Sequence, residues 1–175
     1  VEALAGPVAP GLFAQAEEGA EAAPIGEVES VEGQVTVTRA DGTEAQLNEG
    51  DPVFQGDVLE TGEEGTVGIV FVDDSTFALD EDGRMVLDEL IFDPESTEGK
   101  SSLTVVQGAF TFVSGKIAQS GPDSMKVSTP VATLGIRGTK VAGQAAQEGE
   151  ENTIVLLEGE ILVTNQSGVA LTLNQ

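Results

Sequence analysis

The 175-residue chain contains no cysteine, histidine, tryptophan or tyrosine. Without cysteine there are no disulfides, no thiolate nucleophile and no sulfur-based metal site. Without histidine the usual general base near neutral pH is missing, along with the commonest ligand of zinc. The missing Trp and Tyr leave few amphipathic rings on which a sugar could stack. Positive charge is scarce as well: 7 Lys and Arg stand against 31 Asp and Glu, for a net charge of −24. That excess repels phosphate backbones and anionic lipid surfaces and excludes nucleic-acid binding, while it invites divalent cations that would screen the self-repulsion. An acidic surface suited to a saline habitat accounts for the same charge without any ligand. No apolar run approaches the roughly 20 residues a membrane span needs. No signal peptide is evident and residue 1 is Val, so the chain reads as a processed protein or a fragment.

What is present divides into two parts. Residues 1–24 hold no basic residue, are rich in Ala, and place Gly6, Pro7, Pro10 and Gly11 where they defeat a helix. An extended arm is expected, in which Leu4, Val8 and Leu12 share one side. Such an arm is either a linker or a strand that fills a groove of a neighbouring subunit. A short helical turn around 13–22 is the one helix the pattern allows.

Residues 25–175 read as a single all-β domain, a twisted sandwich or a short solenoid. Val35 and Val37 alternate with Thr36 and Thr38 ahead of the turn Ala40-Asp41-Gly42-Thr43. The run TVGIVFV (66–72) predicts a buried strand followed by a turn at Asp73-Asp74-Ser75. Two strands meeting at Gln107-Gly108 are expected across 102–118, with further strands in 126–143 and 152–174. Turn signals recur every 8–12 residues or so, the spacing of sandwiches and barrels.

Four stretches carry a resemblance to a known family. They are GEVESVEGQVTVTRADG, GDPVFQGDVLETGEEGTVGIVFVDDSTFALDEDGRMVL, VVQGAFTFVSGKI and VSTPVATLGIRGT, in that order within about residues 26–143. Together they resemble the FecR domain, a β-rich extracytoplasmic module of bacterial proteins. The form that continues through VATLGIRGTKVAG into a further hairpin is similar to modules of large secreted or surface proteins of proteobacteria. Classical FecR regulators add a cytoplasmic anti-sigma segment and a membrane helix, neither of which this sequence shows. The resemblance implies stacked, twisted strands and supplies no catalytic residues.

The remaining constellations are weak. Ser114 with Lys116, or Lys126 with Ser128, offer Ser–Lys pairs at short spacing, a common arrangement on a polar strand face. The acid groups Asp73/Asp74, Asp80/Glu81/Asp82 and Asp88/Glu89 have the chemistry of a glycosidase dyad but lack aromatic platforms, since Phe71, Phe77, Phe110 and Phe112 read as core. Calcium is the one plausible metal, with Asp80 and Asp82 its candidate ligands, yet an EF-hand aligned on Gly83 would need an acid or Asn where Ala78 stands. Zinc and its relatives lack ligands. Asn165-Gln166-Ser167 matches a glycosylation sequon. Among the cations, Lys126, Arg137 and Lys140 gather around LGIRGTKVAG, where alternation puts Leu134 and Ile136 on one face and Thr133, Gly135 and Arg137 on the other. They serve either as ion-pair partners of the many carboxylates or as a docking spot for an acidic segment such as residues 17–21.

The expectation is therefore a non-catalytic module of an extracellular or cell-surface assembly, without cofactor. It would self-associate into filaments by strand addition, with Leu4, Val8, Leu12 and Phe13 of the arm seated in the next subunit. The alternative is a periplasmic or surface sensor, or an adhesin-retention module, binding a specific protein partner. No small-molecule substrate is evident.

Overall fold

Thirteen strands and one short 3-10 helix make up the computed structural model, which describes residues 23–96, 98–121, 124–146, 151–165 and 167–174. Leu4, Val8, Leu12 and Phe13, and the turn expected around 13–22, lie outside the described residues. In chain order the strands are β1 Gly26–Glu32, β2 Val35–Thr38, β3 Glu44–Gln46, β4 Pro52–Val53, β5 Val58–Thr61, β6 Thr66–Phe71, β7 Thr76–Leu79 and β8 Arg84–Phe92. They continue as β9 Gly99–Val113, β10 Met125–Ser128, β11 Ala132–Ala145, β12 Thr153–Asn165 and β13 Ala170–Asn174. The fold is all-β, and its only helix among the described residues is the 3-10 turn Lys116–Ser120. No helix there is long and apolar enough to cross a membrane.

All thirteen strands join one sheet, with central path β13-β12-β11-β10-β9-β7-β6-β1-β4. The strands β2, β3, β5 and β8 continue it from the first half of β9. Three long strands organise the whole. The first half of β9 pairs with β8 and, in parallel, with β10, whereas its second half pairs with β7 and β11. β11 and β12 run beside each other over most of their length, with a register shift at Arg137–Lys140. The buried side chains of the sheet form one apolar cluster. The first halves of β9 and β11 are joined through β10, and their second halves pair directly.

Alternation explains which side chains fill the interior. In β6, Val67, Ile69 and Phe71 are buried while Thr66, Gly68 and Val70 face out. The same period buries Leu134 and Ile136 of β11 and leaves Arg137 exposed, as the sequence pattern requires. Phe77, Phe110 and Phe112 meet in the core: the Phe77 and Phe110 rings stack at 5.6 Å, and Phe112 tilts against Phe77 at 6.0 Å. Each such ring contributes about 3–5 kcal/mol against truncation to Ala.

Two close approaches permit the bends. At Gly108 φ is +103°, and a Cβ there would lie 2.7 Å from Gly83 Cα. At Gly159 φ is +93°, and a Cβ would lie 2.0 Å from the Gly138 carbonyl oxygen. Only glycine fits either place. The expected pair of strands over 102–118 is instead one strand bent at Gln107-Gly108 and ending at Val113, after which Lys116–Ser120 turns into the 3-10 helix. A buried carboxylate causes that turn, as shown next.

Candidate functional site

Asp73 and Ser75 are both buried beneath the turn after β6. Asp73 Oδ1 accepts the Ser75 amide at 3.1 Å and the Ser75 hydroxyl, while Oδ2 accepts the Ile117 amide at 3.2 Å. The Asp73 carbonyl accepts the Lys116 amide at 2.8 Å. Four donors thus satisfy this residue and draw the chain after Val113 out of strand geometry. Ile117 then enters the core.

Above this turn lies a shallow cavity of about 840 Å³, lined by Asp74, Ser114, Lys116, Gln119, Arg137 and Gly138 among others. Lys116 Nζ is 2.8 Å from Asp74 Oδ2, and Arg137 Nη1 is 3.1 Å from Glu160 Oε1. The hydrogen bond and charge of Asp74 hold the Lys116 ammonium above its ordinary pKa. Ser114 Oγ accepts the Thr139 amide at 2.7 Å, and the Thr139 hydroxyl donates to the Glu160 carbonyl at 2.6 Å. Ser114 and Lys116 are thus each engaged elsewhere. Among the described residues no hydrogen bond joins Lys126 to Ser128.

Strand register sorts the candidate cations. Lys126 lies beside Ser102 of β9 and opposite Gly135 of β11. Lys100 is two residues before Ser102, and Arg137 two residues after Gly135, both on the outward face that Lys126 shares. Lys100, Lys126 and Arg137 therefore form a triangle on three adjacent strands. Diagonal neighbours in such a ladder stand about 7–8 Å apart, and the two outer strands about 10 Å apart. Lys140 falls beyond the register shift, opposite Val113 of β9 and Glu158 of β12. Lys100 was missed because nothing in the linear pattern links it to residue 126.

Carboxylates border this triangle: Glu160 pairs with Arg137, Glu89 lies beside Ser102, and Asp88 Oδ2 accepts the Thr104 hydroxyl at 2.6 Å. Neither Lys100 nor Lys126 has an ion-pair partner among the described residues. The register neighbours of Lys126 on the flanking strands, Ser102 and Gly135, are uncharged. What this face presents is exposed side-chain charge, since its main chain is taken up in the sheet.

The calcium candidates sit at the opposite end of β7. Asp80 and Asp82 line a shallow cavity with Glu81, Gln107 and Gln144. Their main chains are tied into the bend: the Asp80 carbonyl accepts the Thr61 hydroxyl at 2.6 Å, and the Asp82 carbonyl accepts Gln107 Nε2 at 2.8 Å. Among the described residues no three acids converge as a metal site would require.

A second buried acid was not foreseen. Asp57 is 1% exposed and forms an ion pair with Arg39, whose guanidinium also lies 5.0 Å from the Phe54 ring centroid. Asp57 Oδ2 accepts the Phe54 amide at 2.9 Å, and Oδ1 has no partner among the described residues. Burial pushes its carboxyl above the ordinary value, against the opposing pull of the Phe54 amide and Arg39. Two acids between apolar runs, Asp57 and Asp73, read in sequence as turn residues and carry no local sign of being interior.

Part of the chain is similar to a cell surface anchoring domain of known structure, at 37% identity over 35% of this chain and 82% of that one, with a TM-score of 0.35. A candidate anti-sigma factor from Parabacteroides distasonis shares the fold at 15% identity and a TM-score of 0.50, over 67% of this chain. This chain spans half of that protein's length. No curated protein matches. The family model for FecR protein matches residues 57–162, more than half of the chain and the stretch that includes Lys100, Lys126 and Arg137. The chain belongs to the FecR family.

Proposed function

We propose that this chain is a non-catalytic binding module of the bacterial cell envelope or surface that recognises a specific protein partner. The observation that carries the reading is the cationic triangle on a molecule with a net charge of −24. Seven cations are available in all, and three of them meet on adjacent strands with uncharged residues between. Charge of the minority sign, concentrated on one face, steers encounter and fixes orientation more than it adds affinity. An acidic partner surface is the complement. The rest of the molecule repels acidic partners, so this face is where they would dock. Membership of the FecR family, whose resemblance implied an extracytoplasmic module, supports the reading.

The test is a binding titration against partners isolated from an envelope fraction on immobilised protein. The triple variant Lys100→Glu, Lys126→Glu, Arg137→Glu should lose at least about tenfold in affinity, and the wild type should weaken with salt. Equal binding by both proteins would sink the reading. Filament formation through Leu4, Val8, Leu12 and Phe13 has no observation among the described residues in its favour.

A further inference from the structure

We propose that β13 is a docking edge for a second copy of this chain: two molecules pair their β13 strands antiparallel about Thr172 and continue one sheet across the contact. The inference goes beyond the partner-binding reading and does not depend on it.

Among the described residues, three strands pair on one side only: β3, β4 and β13. Two of these edges are shielded in ordinary ways. β4 is two residues long and begins with Pro52, and β3 is three residues long and begins with Glu44. β13 has five residues and neither proline, charge nor register shift. Residues 161–175 carry no charged side chain, in a chain of net charge −24. Two copies repel each other over most of their surface, so an uncharged edge is where they can approach.

The core also runs out at this edge. Register lines up Leu103, Val127, Leu134, Val163 and Leu171 on one face of five strands. The first three are buried and Val163 partly so, while Leu171 is 60% exposed. A further strand laid beside β13 would cover it.

A second β13 fits that place by its own pattern. The Asn165 amide donates to the Val169 carbonyl at 3.0 Å, which fixes the parity of the ladder. Leu171 and Leu173 then turn their main-chain groups to β12, and Ala170, Thr172 and Asn174 turn theirs to the open edge. Leu171-Thr172-Leu173 reads the same in both directions. About a two-fold axis at Thr172, that residue meets its counterpart, Ala170 meets Asn174 of the second copy, and Leu171 meets its Leu173. Every outward main-chain group of the strand gains a partner, and the leucines share the core-side face. The contact is isologous and closes at two copies. Five residues a side make a small interface, so the dimer is a weak one.

The chain has no cysteine, so Thr172→Cys places a single thiol at the axis. Residues paired in this way stand about 5.5 Å apart at Cα, within disulfide reach. Under mild oxidation Thr172→Cys should form covalent dimers at least about tenfold faster than Ile91→Cys, whose site on β8 is also exposed. Sedimentation over a concentration series should show a wild-type dimer that Leu171→Lys weakens by about tenfold. Ile91→Lys makes the same change of charge at a residue 59% exposed and should leave the dimer intact. Like charges oppose the contact, so salt should strengthen it. Equal rates for the two thiols, a wild-type monomer up to about 1 mM, or an association weakened by salt would each overturn the proposal. None of these results bears on the cationic face, which the titration with the triple variant measures separately.

Discussion

Arg39 closes an ion pair onto Asp57 from the solvent side, so that a guanidinium one-quarter exposed covers a carboxylate that is almost wholly buried. Asp57 ends the turn Phe54-Gln55-Gly56-Asp57, and its main chain exchanges hydrogen bonds with Leu87 through the Gly56 amide and its own carbonyl. The pair therefore anchors β5 against β8. Removing Arg39 strands a buried charge. Arg39→Ala should cost about 3 kcal/mol in urea unfolding, whereas Asp57→Asn should cost less because it removes the charge as well as the pair.

The same carboxyl predicts a pH effect of definite sign. Folding raises its proton affinity, so its contribution to stability is fully present below the unfolded pKa and is lost as pH rises through the folded value. Wild type should gain stability relative to Asp57→Asn when unfolding is compared at about pH 7 and about pH 4. A gap that stays constant would contradict the raised value.

Asp73 gives a prediction at a distance. Asp73→Ala removes the acceptors of Ser75 and Ile117 and should cost about 2–3 kcal/mol, as the loss of several buried hydrogen bonds does. Hydrogen exchange at the Ile117 amide, 44 residues away in sequence, should accelerate more than exchange in β6.

Gly159→Ala should destabilise by about 2 kcal/mol or more, through a positive φ and a clash with the Gly138 carbonyl. Gly168→Ala is the control, since its φ is +84° but nothing lies within 4 Å of a Cβ. Thermal unfolding of both separates the clash from the backbone strain.

Calcium should raise the melting temperature only as salt does. Asp80 and Asp82 stand at the bend without a third converging acid among the described residues. A calcium titration should show no saturable step beyond that of magnesium at equal ionic strength, and Asp80→Asn should leave the response unchanged. A saturable step lost in that variant would establish a site.

Much of the fold was legible because alternation is local. Val67, Ile69 and Phe71, or Leu134 and Ile136, declare their buried face within six residues. The path of 102–118 was not, since Ile117 continues the apolar alternation, while Asp73, which turns the chain, lies forty-four residues earlier. The site was half legible for a related reason. Lys126 and Arg137 face one hairpin and could be grouped by eye, but Lys100 joins them only through the parallel register of β9 with β10. Parallel pairing has no tight turn to announce it.

The double engagement of β9 has a mechanical consequence. Its first half is bonded on one edge to β8 and on the other to β10, and its second half to β7 and β11. To pull it free, both ladders would have to break together. The strand β13, by contrast, is bonded to β12 alone. Under load the sheet should therefore yield by unzipping from such an outer strand, one hydrogen bond at a time, before β9 is disturbed.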